Sequence, residues 1–364
     1  MKPQDRVLGW DFLRGLCALA VAIYHLLFWQ KIAEIHTLGS YGVYLFFILS
    51  GASLAYTYSD RIEQHTFSYG SFLKVRYLRL APLYVLLMLL VLPWKLKQLG
   101  ATPELLMLYA SNASFLFGFY NPATHALLVG GWSLGIEAIF YLLFPLFMLG
   151  CRTRLSAWVV FAGFAVLQIV WINVTLGQPG SVAEHLTAYH QVPAFAAYFM
   201  GGCLLGVAKR QGTLPIFVRS GWGVCVLLMG FGLLLALNPA DWGQAITGWR
   251  GFAGAGICFL MVYAASQLDL SGAMAKVSQY FGDATYGLYL LHPVIFFGCT
   301  LAIFPRLSVP PPTEWSLLAR LAFGLLVLVW AFGLALLSEK VIEKPIRERL
   351  KPRPKPKPAV PPSH

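Results

Sequence analysis

Apolar residues fall in ten long runs along this chain, near positions 10–30, 39–58, 77–94, 130–149, 155–176, 193–208, 220–237, 249–268, 283–304 and 316–338. A helix rises ~1.5 Å per residue, so each run is of the order needed to cross the ~30 Å hydrocarbon core of a bilayer. The pattern predicts an all-α, polytopic membrane helical bundle with about ten transmembrane helices. A further stretch, "ELLMLYASNASFLFGFY" (104–120), is shorter and is interrupted by Ser111, Asn112 and Ser114. It predicts a re-entrant or interfacial segment rather than another crossing.

The basic residues orient the bundle. Lys2, Arg6, Arg61, Lys74, Arg76, Arg79, Arg152, Arg154, Lys209, Arg210, Arg219, Lys276 and the run from Lys340 to Lys357 fall on one side. Lys31, Lys95, Lys97, Arg250, Arg306 and Arg320 fall on the other. Lys and Arg accumulate on the cytoplasmic side of membrane spans, so both termini are expected in the cytoplasm. Counting 104–120 as a crossing would invert every later loop and spoil this segregation. The opening "MKPQDRVLGW" runs into the first span without a small-residue cleavage site and reads as an uncleaved first helix. The expected organisation is one membrane domain over residues 1–350 and a disordered Pro/Lys-rich cytoplasmic tail over 351–364, "KPRPKPKPAVPPSH".

Composition agrees. Charged residues are 12% of the chain and hydrophobic residues 58%, against about 25% charged in a soluble domain. The net charge of +12 is then a record of topology rather than a sign of nucleic acid. The bilayer is the expected partner, and no nucleic acid is expected. Cys17, Cys151, Cys203, Cys225, Cys258 and Cys299 show no CxxC pairing and lie mostly inside apolar runs, so they read as small core residues; no metal is expected.

Ionisable residues inside the spans change the picture, because each is expensive there and marks a possible functional path. Arg14 and His25 are eleven residues apart on the first span. That is three turns and about 20°, so they share a face at a separation of ~16 Å. Asp11 precedes Arg14 by three residues and can pair with it. Glu137 lies about seven residues from the outer end of its span, at a depth comparable to that of His25. A carboxylate beside an imidazole would hold one tautomer, as a general base requires. His292 lies mid-span and precedes Pro293; Ser50 and Gly51 form a small pair inside the second span. Arg76 and Arg79, one turn apart at the inner end of the third span, suit a phosphate clamp, although positive-inside charge explains them equally well. A snorkelling Arg14 and a hydrogen-bonded core His25 are the plain alternatives for those two residues.

Taken in order, these segments resemble the acyltransferase-3 family of integral membrane acyltransferases. The matching pieces are Arg14-x10-His25, "FFILSG" (46–51), Arg76-x2-Arg79-x2-Pro82, "WSLGIEAIFY" (132–141), "YGLYLLHP" (286–293) and "IEKPIR" (342–347). Tyr44 stands where an acidic residue is common in the family and Ala52 where an aromatic is common. The resemblance implies a membrane O-acyltransferase that takes an acyl group, acetyl before succinyl, from cytoplasmic acyl-CoA. It would pass that group to a hydroxyl of a surface glycan or a lipid-linked sugar, in a bacterial inner membrane. Acetyl-CoA or another acyl-CoA would be the donor substrate. Arg76, Arg79 and Arg14 would bind it, while His25, Glu137 and Arg14 would form the catalytic set. Asp11, Ser50, Trp132, Tyr141, Tyr286 and His292 would be acceptor-site or structural residues.

The main rival is a proton-coupled membrane transporter, which also uses intramembrane Arg, His and Glu. Carriers commonly show two related halves, and no internal repeat is visible. The outer 177–192 loop, "GQPGSVAEHLTAYHQV", offers Glu184, His185 and His190, either to a sugar or as ordinary loop residues.

Overall fold

Long apolar stretches without a backbone partner outside themselves must satisfy their own amides, and helices do so within one segment. The structure is a computed structural model that describes residues 6–215 and 220–350, so the 351–364 tail lies outside the described residues. Within them the chain forms α1 (Leu8–Trp29), α2 (His36–Glu63), α3 (Tyr69–Leu99), α4 (Pro103–Ala113), α5 (Pro122–His125), α6 (Gly131–Gly150) and α7 (Arg154–Thr175). There follow α8 (Val182–Tyr189), α9 (Ala196–Arg210), α10 (Ser220–Leu237), α11 (Gly248–Ser266), α12 (Gly272–Phe297), α13 (Leu317–Ser338) and α14 (Lys344–Leu350).

Among the described residues, eight helical segments are long and apolar enough to cross a membrane: α1, α2, α3, α6, α7, residues 192–210 around α9, residues 272–307 from α12, and residues 317–350 from α13. The protein is an all-α, polytopic membrane protein. Helices α10 and α11 also form where apolar runs predict them. The apolar part of α10 is shorter (Trp222–Leu237), and α11 is diluted by Arg250 and by Gly248, Gly251, Gly254 and Gly256. Several helices outrun their apolar cores. Helix α3 begins at Tyr69 rather than near 77, and α12 at Gly272 rather than near 283. Hydropathy sees only the stretch that needs lipid, whereas backbone hydrogen bonding continues past it.

The 104–120 stretch forms no helix long enough to cross a membrane. Gly100, at φ +69°, ends α3, and Thr102 caps α4 by accepting from the Leu105 N–H. Two residues past the end of α4, Phe115 adopts a left-handed conformation, φ +59°. The buried Asn112 fixes the return path. It accepts from the Tyr84 hydroxyl (2.8 Å) and the Leu127 N–H (3.0 Å), and donates to the carbonyls of Leu108 (2.9 Å) and His125 (2.7 Å). One side chain thus satisfies the polar backbone of a fold-back that lipid alone would not tolerate.

Helices α1, α2, α6, α9 and α12 surround the core. Helix α12 runs parallel to α1: the Ser278 hydroxyl meets the Leu8 carbonyl at one end, and Leu26 packs with Phe296 at the other. Helices α7, α10 and α13 turn Trp158, Val159, Leu228, Leu325 and Trp330 outward, as lipid-facing helices do. Helices α2 and α9 touch along a glycine seam. A Cβ at Gly51 would lie 2.1 Å from the Phe199 carbonyl oxygen, at Gly202 2.1 Å from that of Ile48, and at Gly206 2.1 Å from that of Ala52. Small residues let membrane helices approach this closely. The small Ala52 belongs to the same contact. Gly202→Val is therefore expected to lower the melting temperature of the detergent-purified protein, overpacking costing about 1–3 kcal/mol or more. An unchanged melt would show that this seam is loose.

Candidate active site

The N-terminal end of α1 is a charged knot. Asp11 pairs with Arg6 and, at 3.2 Å, with Arg14. Arg6 also reaches Asp283 on α12 at 2.9 Å. Arg14 crosses to α2, donating to the Leu49 carbonyl (2.9 Å) and the Ser53 hydroxyl (2.5 Å). The one-turn spacing of Asp11 and Arg14 sets this up, and Ser53 was not singled out from the sequence. It lies one turn beyond Ser50 on α2, so helical spacing alone could have flagged it.

Arg76 and Arg79 differ sharply in their surroundings. The Arg76 guanidinium sits 5.5 Å from the ring centre of Tyr58, 5.9 Å from Phe72 and 6.0 Å from Tyr141. It donates to the Tyr58 hydroxyl at 3.3 Å, and its Nε is buried without a partner. Arg79 makes no hydrogen bond or ion pair among the described residues. It lies within electrostatic reach of Arg14, Tyr141, Tyr286 and Glu343. A half-exposed arginine with all its donors free, beside a second arginine, is suited to an incoming anion.

Glu137 belongs to this inner cluster. Its carboxylate accepts from the Ser50 hydroxyl (2.6 Å) and from the Tyr141 hydroxyl (2.6 Å). The expected pairing of Glu137 with His25 is not formed among the described residues. The reason is depth. Tyr289 lies three residues inward of His292 on α12, yet it already bonds the carbonyl of Gly130 (3.1 Å), just before α6 begins. The outer end of α6 is therefore sunk below the histidine, and seven further residues carry Glu137 ~10 Å deeper still. Ser50, its partner, neighbours Leu49, whose carbonyl holds Arg14.

His25 has instead found His292. The two rings approach with Nδ1 of His25 3.1 Å from Nε2 of His292, and Nδ1 of His292 lies 2.8 Å from the Leu288 carbonyl. Trp29 stacks on His25, ring centres 4.8 Å apart and planes within 8°. Nε2 of His25 has no partner among the described residues and is not sealed from its surroundings.

The remaining candidates are placed as follows. The Tyr286 hydroxyl is committed to the Leu80 carbonyl, joining α12 to α3. Trp132 packs against His190, ring centres 4.1 Å apart, and against Tyr189 and Phe195. His190 is buried there, which pushes its pKa down to about 4. Glu184 and Ser181 cap α8 reciprocally, and the hydrogen bonds from Ser181 hold the Glu184 carboxyl below its ordinary range. His185 bonds the Gln178 carbonyl at 2.9 Å. Tyr44, where the family commonly has an acid, is fully buried and accepts from the Tyr189 hydroxyl at 3.0 Å. Tyr58 and Tyr289 were not marked by sequence; no spacing rule predicts which tyrosine will cover an arginine or hold a helix end. Among the described residues no group of three or more His, Cys, Asp or Glu gathers to hold a metal ion.

The site as a whole has a basic half around Arg14, Arg76 and Arg79 and, further along α1, an imidazole whose Nε2 has no partner among the described residues. The family model described as "Acyltransferase domain" matches residues 7–338, from the turn before α1 to the end of α13. The chain is 27% identical to Peptidoglycan O-acetyltransferase OatA of Listeria monocytogenes, over 93% of this chain and 55% of that protein. It is 28% identical to Acyltransferase MdmB of Streptomyces mycarofaciens, over 92% of this chain and 89% of that protein. It is 27% identical to Putative peptidoglycan O-acetyltransferase YrhL of Bacillus subtilis, over 93% of this chain and 54% of that protein. The chain thus spans about half the length of the two peptidoglycan O-acetyltransferases it matches. No solved structure matches it. With the family model covering nearly the whole helical bundle, the chain belongs to the acyltransferase-3 family of membrane acyltransferases.

Proposed function

We propose that this protein carries an acyl group, acetyl in the first instance, from cytoplasmic acyl-CoA to a hydroxyl of a surface glycan or lipid-linked sugar. The observation that carries the reading is the arrangement along α1. Arg14 and the unpartnered Arg79 stand at one end, and His25, with its open Nε2, stands three turns outward, ~16 Å away. Ten crossings with both termini in the cytoplasm would put the arginines on the acyl-CoA side and His25 toward the outer leaflet of a bacterial inner membrane. Two relatives named as peptidoglycan O-acetyltransferases support an acetyl donor and a sugar hydroxyl.

On this reading Arg79, helped by Arg76 and Arg14, holds the CoA phosphates, and the pantetheine arm extends along α1. His25 Nε2 takes the proton of the acceptor hydroxyl as its oxygen attacks the thioester carbonyl. The C–O bond forms, the C–S bond breaks, and the proton passes to the CoA sulfur. Glu137 serves the donor half: through Tyr141 and Ser50 it holds the aromatic box around Arg76 and the α2–α6 contact.

The test is full-length protein in liposomes, supplied on one face with acetyl-labelled CoA and on the other with a soluble glycan fragment. Label in the glycan, with free CoA released, is the expected result. Uptake of a solute driven by a proton gradient, with no CoA released, would replace this reading with the transporter.

A further inference from the structure

We infer that His292 is a positioning residue that sets the tautomer of His25, keeping the proton on Nδ1 and the lone pair on Nε2. This deepens the preceding reading and rests on His25 as the base. The argument is one of valence. A carbonyl oxygen can only accept, so Nδ1 of His292, 2.8 Å from the Leu288 carbonyl, carries the hydrogen. A neutral imidazole has one N–H, so Nε2 of His292 presents a lone pair. The ring nitrogen facing it at 3.1 Å, Nδ1 of His25, must then be the donor. That leaves Nε2 of His25 unprotonated, and it is the nitrogen without a partner.

A charged alternative is disfavoured. No carboxylate touches either ring among the described residues, and His292 is 1% exposed. An imidazolium there would be a buried, unpaired charge. Trp29 stacks on the His25 ring and fixes its plane, but stacking does not distinguish the two nitrogens. A free imidazole side chain in water prefers its proton on Nε2, the wrong position for a base that works through Nε2. The hydrogen bond at the other nitrogen is what selects the tautomer. The selection is anchored to the main chain of α12 at Leu288, so it does not depend on a mobile side chain. In the transfer step the Nδ1–H of His25 keeps its bond to Nε2 of His292, while Nε2 of His25 takes the hydroxyl proton and passes it to the CoA sulfur.

The experiment uses full-length protein in nanodiscs. Nitrogen NMR of the labelled imidazoles, assigned by His25→Ala, is expected to show neutral His25 protonated on Nδ1. In His292→Leu the proton should move to Nε2 or spread over both nitrogens, and kcat should fall by about 10²-fold. The KM for acyl-CoA should stay the same, because the donor is held at the other end of α1. His292→Gln, whose amide oxygen can accept from His25 Nδ1, should recover most of the loss. A wild-type spectrum with the His25 proton on Nε2 would overturn the inference whatever the variants do. So would a wild-type kcat in His292→Leu, or equal losses in the Leu and Gln variants. The spectrum reads the tautomer without any turnover, so it separates failure of this inference from failure of the base assignment. The base assignment itself would fall to an active His25→Ala.

Discussion

His25→Ala should abolish acyl transfer while the protein still inserts, extracts and melts nearly as the wild type does. A positioned general base contributes about 10²–10⁴-fold to such a step. Alanine also leaves no group that can take the hydroxyl proton at that place on α1. The structural cost is small, because His25 is only half-buried and its one hydrogen bond is to His292. Turnover of labelled acetyl-CoA in the presence of acceptor measures the loss, and the thermal melt controls for folding. His25→Gln should be equally inactive, since an amide keeps the hydrogen bond to His292 but is not a base. A substantial rate in either variant would remove His25 from the chemistry.

Arg79→Ala should raise the KM for acyl-CoA by about 10–100-fold, with kcat at saturating donor within a few-fold of wild type. A hydrogen bond to a charged group is worth about 1.5–3 kcal/mol. Arg79 has every donor free to make such bonds, and no partner within the protein is lost with it. Its stability should stay near wild type, because Arg79 faces charges of both signs, repelling Arg14 and attracting Glu343. Arg76→Ala should behave differently. Arg76 fills a box of Tyr58, Phe72 and Tyr141, where cation–π contacts contribute about 0.5–2 kcal/mol each. Its loss should lower the melting temperature as well as donor affinity. Titrating acyl-CoA against both variants, with melts in parallel, separates the two roles. An unchanged KM in Arg79→Ala would remove this arginine from the donor site.

Much of the bundle is legible without coordinates because lipid imposes a single rule, that apolar stretches satisfy their own backbone. Helices therefore form at every apolar run, and 104–120, too short and too polar in the middle, turns back at Asn112. The boundaries are less legible. Arg76 and Arg79 read as residues at the mouth of a span, but α3 starts at Tyr69, so they lie two to three turns inside a helix. Helix α11 shows the reverse case: a run that forms a helix without reaching the apolarity of a crossing.

The charged residues could also be found from sequence, because burying an ionisable group in lipid is costly and Arg14, His25, Glu137 and His292 stand out for that reason. Helical periodicity suffices to put Arg14 and His25 on one face, three turns apart. Their partners are another matter. Distance along a helix is measured from that helix's own end, and nothing in the linear pattern tells how deep the end sits. The fold-back held by Asn112 and the Tyr289–Gly130 bond sink the start of α6, which takes Glu137 away from His25 and gives it to Ser50 and Tyr141. The parallel run of α12 beside α1 then delivers His292 to the vacated place. Which residues can ionise is a property of single positions. Which of them meet depends on the relative depth of separate helices, and only packing in three dimensions decides it.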